Sequence, residues 1–143
     1  MKNIAFDMDG TIADFYGVPN WLEYLQAENV YPYEVARPLV NLSKLARRLN
    51  TLHNAGWNVG VVSWTSKNGS SEYNEAVKQA KRKWLAKHLP SVQFDFVCIV
   101  PYGTPKHLYS TGILFDDEKP NRDAWGAGAY DETKIFEVLE SLR

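Results

Sequence analysis

Four short apolar runs constrain this chain most. They are Ile4-Ala5-Phe6, Trp57-Asn58-Val59-Gly60-Val61-Val62, Phe96-Val97-Cys98-Ile99-Val100 and Gly112-Ile113-Leu114-Phe115. They lack the strict polar–apolar alternation of a half-buried strand, so they read as strands buried on both faces. Helical spacing fills the gaps between them. Leu39, Leu42, Leu45, Ala46 and Leu49 recur at that spacing, and Gly56 suits the helix end that follows. Ala76, Ala80, Trp84 and Leu85 mark a helix from about Ser71 to His88, closed by Pro90. Ile135, Val138, Leu139 and Leu142 mark a last one, and Trp21–Glu28 reads as a short helix between Pro19 and Pro32. Ala124-Trp125 reads as a fifth, very short strand, and Gly126-Ala127-Gly128 as a turn before the last helix. Strands alternating with helices give an α/β fold, with a parallel sheet and helices on both faces.

Right-handed crossovers bring the C-terminal ends of parallel strands to one edge, and open α/β sheets bind their ligands there. That edge collects Asp7, Asp9, Ser63, Asp116 and Asp117, with Lys106 in a loop beside them. Asp7 and Asp9 alone could be a polar turn after a strand. A second acidic pair at another strand end is not explained by that reading.

Composition narrows the chemistry. The 143 residues are enough for one domain, and they hold 16 Lys and Arg against 17 Asp and Glu. A net charge of −1 excludes a whole-molecule basic field for nucleic acid or an anionic membrane, so neither is the expected partner. A single cysteine, Cys98, excludes an internal disulfide framework, and three scattered histidines offer no zinc spacing. No apolar run reaches the length of a membrane span, and the start does not resemble a secretory signal, which sets the expectation of a cytoplasmic protein.

Four carboxylates at one edge call for a cation. Magnesium takes oxygen ligands and is usually held by one or two carboxylates together with substrate phosphate. A carboxylate can attack phosphorus to form an aspartyl-phosphate. A second acid can then protonate the leaving oxygen and later deprotonate water. The transferring phosphoryl group needs donors, which Ser63, Lys106 and the backbone N–H groups of the Gly10 turn can supply.

Asp7-Met8-Asp9-Gly10-Thr11, Ser63 after an apolar strand, Lys106, and Ile113-Leu114-Phe115-Asp116-Asp117 resemble, in order, the four motifs of the haloacid-dehalogenase superfamily. The resemblance runs from Ile4 to about Trp125 and implies a three-layer Rossmann-like core with a parallel sheet of about five strands. It implies Asp7 as nucleophile, Asp9 as acid and base, and Ser63 and Lys106 as the phosphoryl-binding pair. It implies magnesium held by the Asp7 side chain, the Asp9 backbone carbonyl and Asp116, with Asp117 close by. Phosphatases and phosphomutases of the superfamily carry an aspartate where Asp9 stands. Many members have a further acid where this chain has Asn121.

A narrower resemblance points to the 5′(3′)-deoxyribonucleotidase branch. Asp7-Met8-Asp9-Gly10-Thr11-Ile12-Ala13-Asp14-Phe15 is similar to that branch's opening, and Lys83-Trp84-Leu85 followed by Lys87-His88-Leu89 also looks like it. It implies a nucleobase against Phe15. The insert after the first strand, Tyr16 to Val40, is shorter than those enzymes carry and reads as a small helical cap within a single domain. Its rings form either a satellite core or a stacking surface. Trp64 and Thr65 join Gly10 and Phe15 as candidate substrate contacts, Thr65 or Ser66 is the fallback hydroxyl for Ser63, and His107 is a lesser candidate beside Lys106. Lys78, Lys81, Arg82, Lys83 and Lys87 read as a solvated basic helix face.

The expected activity is thus magnesium-dependent hydrolysis of a small phosphomonoester, such as a nucleoside monophosphate. A short cap also admits a larger substrate, such as a nucleic-acid end or a phosphoprotein. It leaves room for help from the 67–72 loop or from a second copy of the chain in a homodimer. Two rivals are a phosphoryl-accepting signalling domain and a non-catalytic binding protein of the same fold. Receivers carry their acidic pair first; here it comes last.

Overall fold

The computed structural model describes residues 2–143. Its elements run β1 (Asn3–Phe6), β2 (Ala13–Asp14), α1 (Trp21–Gln26), α2 (Tyr31–Val35), β3 (Arg37–Pro38), α3 (Leu42–Asn54), β4 (Asn58–Trp64), α4 (Ser71–His88), β5 (Phe96–Val100), β6 (Ile113–Phe115), α5 (Lys119–Trp125), β7 (Ala129–Tyr130) and α6 (Ile135–Ser141). Five strands form one sheet in the order β5-β4-β1-β6-β7. Every neighbouring pair in it is parallel. This is the expected three-layer, Rossmann-like α/β architecture. β1 lies at the centre, where the chain first winds one way to β4 and β5 and then the other way to β6 and β7. Such a reversal opens a crevice beyond the strand ends.

The two sheet faces are unequal. Ile4, Phe6, Val59, Val61 and Phe115 point to one face and meet Leu45, Leu49 and Leu52 of α3, Trp84 and Leu85 of α4, and Ile135 and Leu139 of α6. Ala5, Val62 and Leu114 point to the other face, where Phe96, Trp125 and Ala129 cover them. Between β1 and α3 the chain makes a two-stranded antiparallel pair, β2 with β3, enclosing α1 and α2. This segment rests on α4 through Phe15, Tyr33, Tyr73, Val77 and Ala80. Four hydrogen bonds fasten it there. Ser70 N and Oγ each donate to the Glu28 carboxylate at 2.8 Å, Trp84 Nε1 donates to Ala36 O at 2.8 Å, and Tyr73 Oη donates to Asn29 O at 3.3 Å.

Three expectations about elements need correction. Ala124 and Trp125 end helix α5, and the fifth strand is Ala129–Tyr130 instead. Pro120 stands in the first turn of α5, where its missing N–H costs nothing. Gly126-Ala127-Gly128 therefore leads into β7, not into the last helix. Pro32 likewise opens helix α2 where it was read as a boundary.

Candidate active site

β1 ends at Phe6, and the Asp7 N–H continues the ladder to Phe115 O at 2.9 Å. The chain then turns sharply, with the N–H groups of Thr11, Ile12 and Ala13 all reaching Met8 O. Gly10 takes φ +80°, and a Cβ there would stand 2.3 Å from Asp117 Oδ2. A glycine is what lets the first acidic loop approach the last one so closely. Its N–H is bound to Ala13 O at 2.9 Å, so Gly10 shapes the site sterically while that donor is engaged.

Lys106 opens a short 3-10 turn after β5 and is buried. Its Nζ donates to Asp7 Oδ1 and to Asp116 Oδ2, each at 2.7 Å. Burial alone would lower the lysine's pKa; Asp7 and Asp116 together outweigh it and hold the ammonium above its ordinary value. Asp116 is fully buried and well bonded. Glu118 N donates to its Oδ1 at 2.9 Å, and Asn121 Nδ2 to its Oδ2 at 3.1 Å. Asn121 thus meets the acidic cluster as a neutral donor to Asp116. The Thr11 hydroxyl accepts from Asp117 N at 3.1 Å and lies 3.2 Å from both Asp7 Oδ2 and Asp117 Oδ1.

Ser63 lies within β4, which runs on to Trp64, two residues beyond the expected strand end. It continues the alternation of Val59 and Val61, so its hydroxyl points toward α4. There it meets Lys81, whose Nζ donates to Ser63 Oγ at 2.7 Å, to Trp64 O at 2.7 Å and to Asp9 Oδ2 at 3.0 Å. The expectation of a solvated basic face therefore fails at Lys81, which is 1% exposed, while Arg82, Lys83 and Lys87 are exposed. A signal was present. Tyr73, Val77, Lys81, Trp84 and Leu85 share one stripe at spacings of three and four, and Lys81 is the charged residue on it.

The cleft above these groups has a volume of about 480 Å³. Asp7, Asp9, Ser63 and Lys106 share its floor and walls with Phe15, Trp64, Thr65, Tyr102 and Asn121. Phe15 is at once cleft wall and satellite core. Its ring centroid lies 4.5 Å from that of Tyr33 and 5.5 Å from that of Trp21. Trp64, at the end of β4, lines the same cleft and is anchored by Nε1 to Thr104 O at 2.8 Å. Of the two fallback hydroxyls, both of which line the cleft, Ser66 spends its proton on Asn74 Oδ1 at 2.7 Å. His107 is exposed and lines a different depression, at the opposite end of the sheet.

Charge at this edge does not balance by itself. Four carboxylates, Asp7, Asp9, Asp116 and Asp117, face two buried ammonium groups, Lys81 and Lys106. The shortfall is that of one divalent cation. Oxygens of Asp7, Asp116 and Asp117 lie within 4.8 Å of one another. The strain shows in the acids. Burial and the Asp7 carboxylate push Asp117 up to about 8 and Asp116 up to about 6. An all-oxygen donor set of this charge fits magnesium.

The structure thus defines a Rossmann-like α/β fold with an acidic site at its switch point. The chain matches no protein-family model and no curated protein sequence. Among solved structures it is similar to D,D-heptose 1,7-bisphosphate phosphatase from Burkholderia thailandensis, with a TM-score of 0.54 and 16% sequence identity, over 90% of this chain and 74% of that one. At that identity the likeness is one of fold. Among the described residues, no helix is long and apolar enough to cross a membrane.

Proposed function

We propose that this chain is a magnesium-dependent phosphomonoester hydrolase of the haloacid-dehalogenase superfamily. It works through an aspartyl-phosphate on Asp7 and prefers a nucleoside monophosphate. The observation that carries this reading is the convergence of Asp7, Asp9, Ser63 and Lys106 in one cleft beside a three-carboxylate cluster. The fold shared with a sugar-bisphosphate phosphatase supports it.

Asp7 and Asp116 would hold the cation with Asp117 close by, and the Asp9 carbonyl would complete the protein's share. When bound, magnesium would offset the negative charge gathered on the acids and on the phosphoryl oxygens. The remaining steps belong to side chains. An Asp7 oxygen attacks phosphorus, the bond to the leaving oxygen breaks, and Asp9 protonates that oxygen. Asp9 then takes a proton from water as the water oxygen attacks phosphorus, which frees phosphate and restores the Asp7 carboxylate. Burial raises the Asp9 pKa, Lys81 opposes the rise, and the net remains upward, which suits a proton donor. Lys106 and the Ser63 hydroxyl bind the transferring phosphoryl oxygens.

Segment 16–40 serves as a small cap, with Phe15 beneath it offering a flat face to a base. Trp64 across the cleft offers a second. The test is phosphate release from deoxy- and ribonucleoside monophosphates, sugar phosphates and an aryl phosphate, with magnesium and with chelator. Magnesium-dependent release favouring nucleotides is the expected result. Release from the aryl phosphate alone would keep the mechanism and move the substrate to a larger phosphoester. No release from folded protein would overturn the reading.

A further inference from the structure

We propose that Lys81 is a positioning residue, one that aims the proton-transferring carboxylate of Asp9 and the phosphoryl-binding hydroxyl of Ser63 together. The inference rests on the phosphatase reading above.

An ammonium has three protons, and Lys81 spends them on Asp9 Oδ2, Ser63 Oγ and Trp64 O. Those acceptors come from different places: the loop after β1, the interior of β4 and the end of β4. The lysine comes from α4, deep in its apolar stripe, with the Tyr33 ring 5.3 Å from Nζ. Burying a lysine is costly unless every donor is satisfied. Here each is, so the arrangement has one low-energy geometry.

Two consequences follow for the reaction. Ser63 Oγ accepts a hydrogen bond from Lys81, so its own hydrogen must point elsewhere, and the cleft is the side left for it. Asp9 has Oδ2 tied down while its side chain remains about a fifth exposed, which leaves Oδ1 to meet the leaving oxygen. Without Lys81 both groups can rotate, and reacting groups lose rate steeply when misplaced by about 1 Å.

Leaving-group dependence separates positioning from mere stability. An alkyl oxygen needs a proton from Asp9 as it departs, whereas p-nitrophenolate leaves without one. The experiment measures kcat/KM, which covers the steps up to phosphoryl transfer to Asp7, for Lys81→Met on a nucleoside 5′-monophosphate and on p-nitrophenyl phosphate. The expected loss is about 10²-fold on the nucleotide and about tenfold or less on the aryl ester. On the aryl ester, the Ser63→Ala/Lys81→Met double variant should lose little more than Ser63→Ala alone, because the two act as one unit. Lys83→Met, on the exposed side of the same helix, should match wild type on both substrates.

Equal losses on the two substrates, or a loss on the nucleotide within about threefold of wild type, would overturn the proposal. Should Lys81→Met fail to melt cooperatively, Lys81→Gln takes its place; if neither folds, Lys81 is structural and the proposal falls. An inactive wild type would overturn the phosphatase reading and this inference with it. An active wild type with equal losses overturns this inference alone.

Discussion

An amide at position 7 keeps the volume of the Asp7 side chain and removes the charge on which its proposed role as nucleophile depends. Asp7→Asn should therefore melt within a few degrees of wild type and show no measurable turnover; wild-type-like phosphate release from it would exclude an aspartyl-phosphate. Phe15 demands a gentler change. It is 3% exposed and touches three other rings, so Phe15→Ala would cost about 3–5 kcal/mol of stability and confuse binding with folding. Phe15→Leu keeps most of the volume and loses the flat face. An aromatic contact contributes about 0.5–1.5 kcal/mol beyond area burial, so kcat/KM on a nucleoside monophosphate should fall roughly three- to tenfold more than on glycerol phosphate, which has no ring. Equal losses would remove the base from against Phe15. Asp7, Asp9, Asp116 and Asp117 were legible because acids at the ends of apolar runs have few structural uses. Lys81 was not, because one lysine among five on a helix differs from the others only in the face it occupies.

α4 links the core to the segment above the cleft. Ser70 caps it, with Oγ accepting from Tyr73 N at 3.1 Å, while the same residue donates twice to Glu28. Ser70→Ala should cost about 0.5–2 kcal/mol by chemical denaturation, as lost helix caps do. It should also speed amide hydrogen exchange in residues 27–30. Unchanged exchange there would mean that the segment is seated without the Ser70 hydroxyl, by the aromatic packing and the bonds from Tyr73 and Trp84. The bounds of α4 and β5 agree with the sequence reading at both ends, because a long apolar stripe closed by Pro90 and a run of five apolar residues carry their own punctuation. The two-residue strands β2, β3 and β7 carry none. Each exists only because a partner strand presents free N–H and C=O groups beside it.

At the scale of the whole molecule, the unbalanced charge at the sheet edge should govern stability. Asp117 lies at about 8 in the folded state, above its ordinary carboxylate value, raised by burial and by Asp7. The folded protein therefore holds a proton that the unfolded chain has already lost, and stability falls as pH rises through that value. Glu28 and Asp131 are held below their ordinary values, and their opposite contribution is complete before neutral pH. Without divalent ions the melting temperature should thus drop between about pH 6.5 and 8.5. Magnesium should raise it, and by more at the alkaline end, because the ion replaces the proton. A melting temperature independent of magnesium at pH 8.5 would show that the three carboxylates do not take the ion.

The sequence by itself determined the sheet, its parallel sense and the edge where the acids gather, because continuous apolar runs alternating with helical stripes leave few other ways to bury them. It also determined which residue types could do chemistry there. Tertiary structure decided which of these residues touch. Pairing Lys106 with Asp7 and Asp116, and Lys81 with Asp9 and Ser63, joins positions 10 to 99 residues apart. Such contacts follow from crossover geometry and helix rotation, which local spacing does not encode. The same holds for Gly10, whose need for a bare Cα comes from Asp117 on a distant loop.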